Sequence, residues 1–434
     1  MQPINTLRRY FRQSARLGTG RAYLLARDNP DVDFSAAIIE VALKNFAYDG
    51  QAEGSRAQYV FALYGLSKHQ ARIRRAVLAG LATEHDDTWT LQQLFELALL
   101  FAQHGDAPAR QAMYHRFLRK PIHGSDWVGA RELMALDGLA GLRYVAQKFG
   151  RALAKNPDDW QDDHLIKSFQ EDNPTLDAWA DLRHAAQHDD NVRRYLHNVE
   201  ATRARQEAYQ RPARELPGRQ EMIEVPRQRA LPFLFRKKLQ PTDLEYFAKR
   251  LLTEKSKAVI ENILFVFGEF KYPLDYRLIL ELARQQARSR YRLAEFATAA
   301  LQHLSAPEIR AFALQKLATT TRPSQYTDLL ISNYQTGDAG LLTAIVQRSH
   351  HEHTLEQLAC SYVAIYEATK TPECAPPLLA LYHKMTCGIH RSEVVRLLLE
   401  NQVLPIWLNE ELPFDSSAET QLLHQPTGKA ASAH

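Results

Sequence analysis

Three residues near the C-terminal end, His383, Cys387 and His390, are spaced by four and three positions. At a helix end and turn, that spacing could bring two imidazole nitrogens and a thiolate to one zinc ion, with Cys374 as a fourth ligand. No second cysteine pair reinforces the set, and isolated Cys and His residues in helical chains usually serve packing or surface roles, so neither a metal nor a cofactor is expected. His350, His351 and His353 surround Glu352 in the string HHEHT, which lacks the HExxH spacing that puts two imidazoles on one helix face. The acidic string DDWQDDH, Asp158 to His164, lacks the alternating oxygen ligands and central glycine of a calcium loop. It reads as an interhelical turn whose carboxylates favour the positive end of the next helix. No GxSxG elbow is present, and LGTGRAY does not follow a strand as a phosphate-cradling loop would. No catalytic residue is assigned, and the chain reads as non-enzymatic.

Cationic residues form the other candidate chemistry. Arg8, Arg9, Arg12, Arg16, Arg21 and Arg27 all precede the first acidic residue, Asp28. Arg284, Arg288 and Arg292 lie four residues apart, with Arg290 and Tyr291 between them. Arg8, Arg12, Arg16, Arg284, Arg288, Arg290 and Arg292 are therefore the candidate binding residues, a cationic edge that could grip phosphates together with Arg236, Lys237 and Lys238. The net charge of +4 is small for a dedicated nucleic-acid binder, which keeps nucleic acid second to a protein or peptide as the partner.

The elements that would carry these residues are amphipathic helices. Ile260, Ile263, Leu264 and Phe267 recur at helical spacing, as do Leu293, Ala297, Ala300, Leu301 and Leu304, and Leu355, Leu358, Ala359, Tyr362, Val363 and Tyr366. Helix-starting signals fall at Pro241, Pro273, Pro307, Asp338 and Pro372, a period of about 33 residues that fits stacked helical hairpins. Ser305 and Thr371 stand where they could cap the helices that follow. Earlier in the chain HGDAP gives a tight connection, with Gly105 able to end one helix in the left-handed region and Asp106 able to cap the next. Further helices are predicted around 126–154, 162–170 and 174–210, and no strand is expected.

Four segments follow. Residues 1–211 form an N-terminal helical repeat half, and 212–240 a linker with four prolines, a glycine and eight basic residues between Arg211 and Gln240. Its LPFLF segment, Leu231 to Phe235, reads as the entry to the next helix. Residues 241–412 form a C-terminal repeat half, and 413–434 a mobile tail too poor in apolar residues to pack. Each helical pair must hide its apolar stripe against a neighbour, so the expected fold is an all-α solenoid of antiparallel helix pairs.

The segment RLAEFATAALQHLSAPEIRAFALQKLA, Arg292 to Ala318, resembles the HEAT repeat in the short variety found in phycobilisome lyases. An alanine-rich first helix, a turn with Pro or Asp and a second helix opening with an apolar residue followed by Arg match Pro307, Ile309, Arg310, Ala313 and Leu317. Ala71 to Ala82 is similar. The period is shorter than the roughly 40 to 47 residues of ordinary HEAT units, and the tetratricopeptide and ankyrin signatures are absent. The resemblance implies an elongated curved surface, and relatives of this kind include scaffolds, adaptors, lyase subunits and nucleic-acid-binding repair proteins.

With 45% apolar and 24% charged residues the chain is expected to fold throughout most of its length. No run approaches the roughly 18 apolar residues of a membrane span, and the start lacks the apolar middle of a secretory signal, so a cytoplasmic location without membrane contact is expected. Three cysteines, an odd number within one region, suit a reducing compartment. Nothing in the pattern speaks to oligomeric state.

Overall fold

The computed structural model describes residues 4–209, 218–224, 239–285 and 291–426. All elements among them are helical and none is a strand, in agreement with the periodicity of the apolar residues. None of these helices is long and apolar enough to cross a membrane. The chain divides into two compact units, residues 1–212 with 410–434, and residues 213–409.

The N-terminal unit begins with α1 (Ile4–Leu17), α2 (Arg21–Asp28), α3 (Ser35–Ala42), α4 (Gly50–Glu53), α5 (Ala57–Leu66) and α6 (Gln70–Thr83). It continues through α7 (Thr88–Gln103), α8 (Ala107–Arg116), α9 (Ala130–Asp137), α10 (Leu139–Lys155), α11 (His164–Asp172), α12 (Ala178–Ala185) and α13 (Asp190–Ala208). Helices α1, α3, α5, α7 and α9 pack in succession, and α6 packs on α8 beside them. Val60, Leu63, Ile73, Val77, Leu81, Leu94, Phe95 and Leu133 are buried between the helices, each aliphatic or aromatic side chain contributing about 1.5 to 3 kcal/mol.

Local chemistry explains the breaks. At HGDAP, Gly105 takes φ +90° and the Asp106 carboxylate accepts from the Ala109 N–H at 3.1 Å, as the sequence predicts. The helix anticipated over 126–154 is two helices, because Gly138 at φ +57° turns the chain between α9 and α10. The long helix anticipated over 174–210 is likewise split, with Asp189 capping α13 through the N–H groups of Asn191 and Val192. Gly150 lets α10 lie against the backbone of Asn191 at the start of α13, where a side chain would overlap the carbonyl.

Beyond Pro413 the expected mobile tail is in part ordered. Phe414 stacks on Tyr23 with ring centroids 4.2 Å apart, and the Ser416 N–H donates to the Gly18 carbonyl at 2.8 Å. Asp415 and Thr420 are fully buried, and Ser417 caps the short helix Ala418–Leu422. The sequence suggested mobility because this segment carries few apolar residues, whereas its order rests on backbone pairing and on Gly20, which leaves room for the Glu411 carbonyl. Residues 427–434 lie outside the described residues.

In the second unit the helices Lys257–Phe267, Leu293–Leu301, Ser324–Thr327, Glu352–Thr369 and Gly388–Glu400 pack in succession. Ala339–Arg348 packs on Ala375–Tyr382. Pro241 and Pro307 occupy first helical positions, Asp338 immediately precedes Ala339–Arg348, and Pro372 opens a 3-10 turn. Pro273 departs from the anticipated period, since the next helix, Arg277–Arg284, starts four residues later. Thr371 caps through its side chain as predicted, but Ser305 does not, the capping position being Ala306. Within the stretch read as a linker, Arg219–Glu224 is a helix whose Ile223 carbonyl accepts from the Asn262 amide at 2.8 Å. The LPFLF segment lies outside the described residues.

One ion pair recurs in both units. Arg74, which follows Ile73 in α6, grips both carboxylate oxygens of Asp106 at the start of α8, Nη2 to Oδ1 being 2.6 Å. Arg310, which follows Ile309, does the same to Asp338 ahead of Ala339–Arg348, with Nη1 to Oδ2 at 2.6 Å and Nη2 to Oδ1 at 2.7 Å. The two Ile-Arg dipeptides thus perform one job. The apolar residue enters the core while the guanidinium forks onto an aspartate at the start of a later helix.

Candidate functional site

Among the described residues, Arg8, Arg12, Arg16 and Arg292 of the predicted cationic set are committed to partners within the chain. On α1, Arg8, Arg12 and Arg16 recur every four residues and so share one face. Arg8 donates to the Asp33 carbonyl at 3.2 Å, Arg12 Nη2 to Glu40 at 3.0 Å and Arg16 Nε to Glu40 at 2.8 Å. The Arg12 hydrogen bond, assisted by Arg16, holds the Glu40 carboxyl below its ordinary range despite its partial burial. These arginines therefore tie α1 to α3.

In the second unit Arg284 is exposed in the last turn of its helix. Arg292 pairs with Glu295 and lies over the Phe296 ring at 5.2 Å. Arg288 and Arg290 lie outside the described residues, as do Arg236, Lys237 and Lys238.

A second constellation contains half of the histidine and cysteine set singled out in the sequence. Glu356 and Cys360 stand one turn apart on the helix Glu352–Thr369, which packs against Gly388–Glu400. Cys387 occupies the N-cap of that second helix and His390 its first turn. The imidazole is held from both edges: Nδ1 is 2.7 Å from Glu356 Oε2, and Nε2 is 3.2 Å from Cys360 Sγ. Hydrogen bonds with the Cys360 and Cys387 sulfurs, and then with Glu356, raise the His390 pKa to about 12 against the opposing effect of burial.

Glu356 is 3% exposed and Cys387 also 3%, so both are shielded from bulk water, while Cys360 is exposed. The second Glu356 oxygen, Oε1, is buried and has no hydrogen-bond partner among the described residues. One ligand atom each from Glu356, Cys387 and His390 lies within 4.8 Å of the others. Among the described residues no other group of three or more His, Cys, Asp or Glu side chains converges in this way.

The other two members of the sequence set sit elsewhere. The His383 ring stacks on Trp407 at 5.4 Å, and Cys374 is fully buried in a 3-10 turn, where burial pushes its thiol up to about 11. Glu356 and Cys360 were missed because they precede Cys387 by about 30 residues. The available signal was their spacing of four on an apolar helix, which puts a carboxylate and a thiol on one face. In the acidic string Asp162 accepts from the His164 N–H at 3.0 Å and Asp163 pairs with Lys167 at 2.9 Å, the arrangement of an interhelical turn. His351 stands at the N-cap of Glu352–Thr369.

Comparison with models of known protein families, with curated proteins and with solved structures returned no match.

Proposed function

We propose that the chain is a HEAT-like helical repeat protein, an α-solenoid that acts in the cytoplasm as a scaffold or adaptor and holds a protein or peptide partner on its curved surface. The observation that carries this reading is the recurring fork of an arginine, next to a buried isoleucine, onto an aspartate that begins a later helix. It joins one helical pair to the next in each unit, as stacked repeats require, because no pair can bury its apolar stripe alone. Repeat surfaces of this kind bind through a few anchor residues set in a broad, complementary face. The three free cysteines suit a reducing compartment.

The pairing of Arg12 and Arg16 with Glu40 favours a protein partner over nucleic acid, since guanidinium groups already bound to a carboxylate have less to gain from phosphate. The test is affinity co-purification of the full chain from its native cells, with elution at rising salt. A protein recovered in fixed stoichiometry and retained between about 50 and 200 mM salt supports the reading. Recovery of nucleic acid alone, released steeply over that range, overturns it.

A further inference from the structure

We propose that Glu356, Cys387 and His390 bind a zinc ion between the helices Glu352–Thr369 and Gly388–Glu400, with Cys360 orienting the imidazole from its far edge. The inference is independent of the partner-binding reading.

Four features point to a metal. The three donors converge from two helices that the fold packs together, so the site is built by tertiary structure and not by a local run of polar residues. Their ligand atoms lie within 4.8 Å of one another, and tetrahedral zinc requires separations of about 3.3 to 3.7 Å, given bonds of roughly 2.0 to 2.3 Å. A rotamer adjustment of about an ångström would close the set. The donor chemistry is the third feature. A thiolate, an imidazole and a carboxylate together match the borderline character of zinc, whereas calcium and magnesium would need more oxygen ligands.

The fourth feature is the carboxylate itself. Glu356 is 3% exposed, and its Oε1 has no hydrogen-bond partner among the described residues. A buried carboxylate oxygen left in that state is costly, and a cation seated beside it removes the cost. Which imidazole nitrogen faces the ion follows from the two edges of the ring. Nδ1 faces Glu356 at 2.7 Å, and Nε2 faces Cys360 at 3.2 Å. One ion meets one edge, so Nδ1 ligates alongside Glu356 and Cys387, and Nε2 carries the hydrogen that the Cys360 sulfur accepts. That outer contact is the kind that fixes the tautomer of a metal-bound histidine.

On binding, the Cys387 thiol and the His390 Nδ1–H each give a proton to solvent, and the metal–sulfur and metal–nitrogen bonds take their place, while Nε2 keeps its hydrogen. Three protein ligands leave a fourth position for water, and His390 is only partly buried. The ion would join two helices that follow one another in the second unit's packing.

The experiment uses the full chain, stripped with a chelator and titrated with zinc(II), and separately with cobalt(II) as a spectroscopic stand-in. One zinc per chain and a thiolate-to-cobalt charge-transfer band are expected. Cys387→Ser abolishes the band, and His390→Asn and Glu356→Gln weaken binding at least tenfold. Cys360→Ser keeps the band and loses about 10- to 100-fold in affinity, as outer contacts of metal ligands do. Cys374→Ala, which lies outside the cluster, binds as the parent does. Glu356→Gln preserves side-chain shape, so a far-ultraviolet dichroism spectrum matching the parent separates loss of the ligand from loss of the fold. Failure of the parent chain to take up either metal, or a cobalt band that survives Cys387→Ser, overturns the proposal.

Discussion

Glu132 provides a perturbation whose size follows from its surroundings. It lies in the first turn of α9, 8% exposed, and desolvation pushes its carboxyl up to about 7 from an ordinary value of 4.5, chiefly through burial and secondarily through Glu96. Below pH 4.5 both folded and unfolded chains hold this proton, and the group has no effect on stability. Between pH 4.5 and about 7 the unfolded chain has lost the proton while the folded chain keeps it, so stability falls as pH rises. Above about 7 the folded chain carries a buried carboxylate, and the full penalty is present.

A shift of that size, at about 1.4 kcal/mol for each pH unit, corresponds to a ceiling of about 3 kcal/mol. Glu132→Gln keeps the shape and removes the charge. It is expected to match the parent at pH 4 and to exceed it in Tm at pH 8 by at most about 6 to 12 °C, using roughly 2 to 4 °C per kcal/mol for a unit of this size. Tryptophan fluorescence is the assay, because four of the five tryptophans, Trp89, Trp127, Trp160 and Trp179, belong to the N-terminal unit and only Trp407 to the second. A variant whose Tm advantage is flat from pH 4 to pH 8, or absent at pH 8, would show that Glu132 carries no buried-charge penalty.

Two further outcomes follow from close packing and from buried charge. Gly20→Ala places a Cβ against the Glu411 carbonyl, so the C-terminal segment should lose amide protection over Ala418–Leu422 at a cost of about 1 to 3 kcal/mol. Gly20 is the N-cap of α2, where alanine brings no compensating gain, and a segment whose protection is unchanged or raised in hydrogen-exchange mass spectrometry would contradict the packing. Glu411, buried beside Arg21, is also raised to about 7 by desolvation, so Glu411→Gln should gain thermal stability at pH 8 and none at pH 4, as read by the same fluorescence assay.

Much of the helical pattern was legible because it rests on residues whose preferences are strong and local. Gly105 and Asp106 act as the HGDAP string predicts, and Ile309 and Arg310 direct one side chain inward and the other onto Asp338. Pro273 misled because proline also suits a loop, and there it precedes a helix by four residues. The ordered segment after Pro413 was hidden because Phe414 and Ser416 are held by Tyr23 and the Gly18 carbonyl, nearly 400 residues away in the chain. The Glu356, Cys360, Cys387 and His390 cluster was half visible for a similar reason. Short spacing reveals which residues share a helix, whereas the pairing of two helices is settled by the core between them. The arginines show the converse: Arg12 and Arg16 look free in sequence, and Glu40 on another helix accounts for both.

Whether the Arg–Asp fork couples one helical pair to the next is decided by a double-mutant cycle. Arg310→Ala, Asp338→Ala and the double variant would be compared by hydrogen exchange over Pro307–Thr319 and Ala339–Arg348, alongside the same cycle for Arg74 and Asp106. The Arg310–Asp338 side chains are 16% and 9% exposed, against 32% and 15% for Arg74–Asp106, so the first coupling should be the larger. A coupling of about 1 to 3 kcal/mol at Arg310–Asp338, a smaller one at Arg74–Asp106 and loss of protection in both helices are predicted. Additive effects at both pairs, with protection lost only in the helix that carries the substitution, would mean that the fork does not couple the pairs.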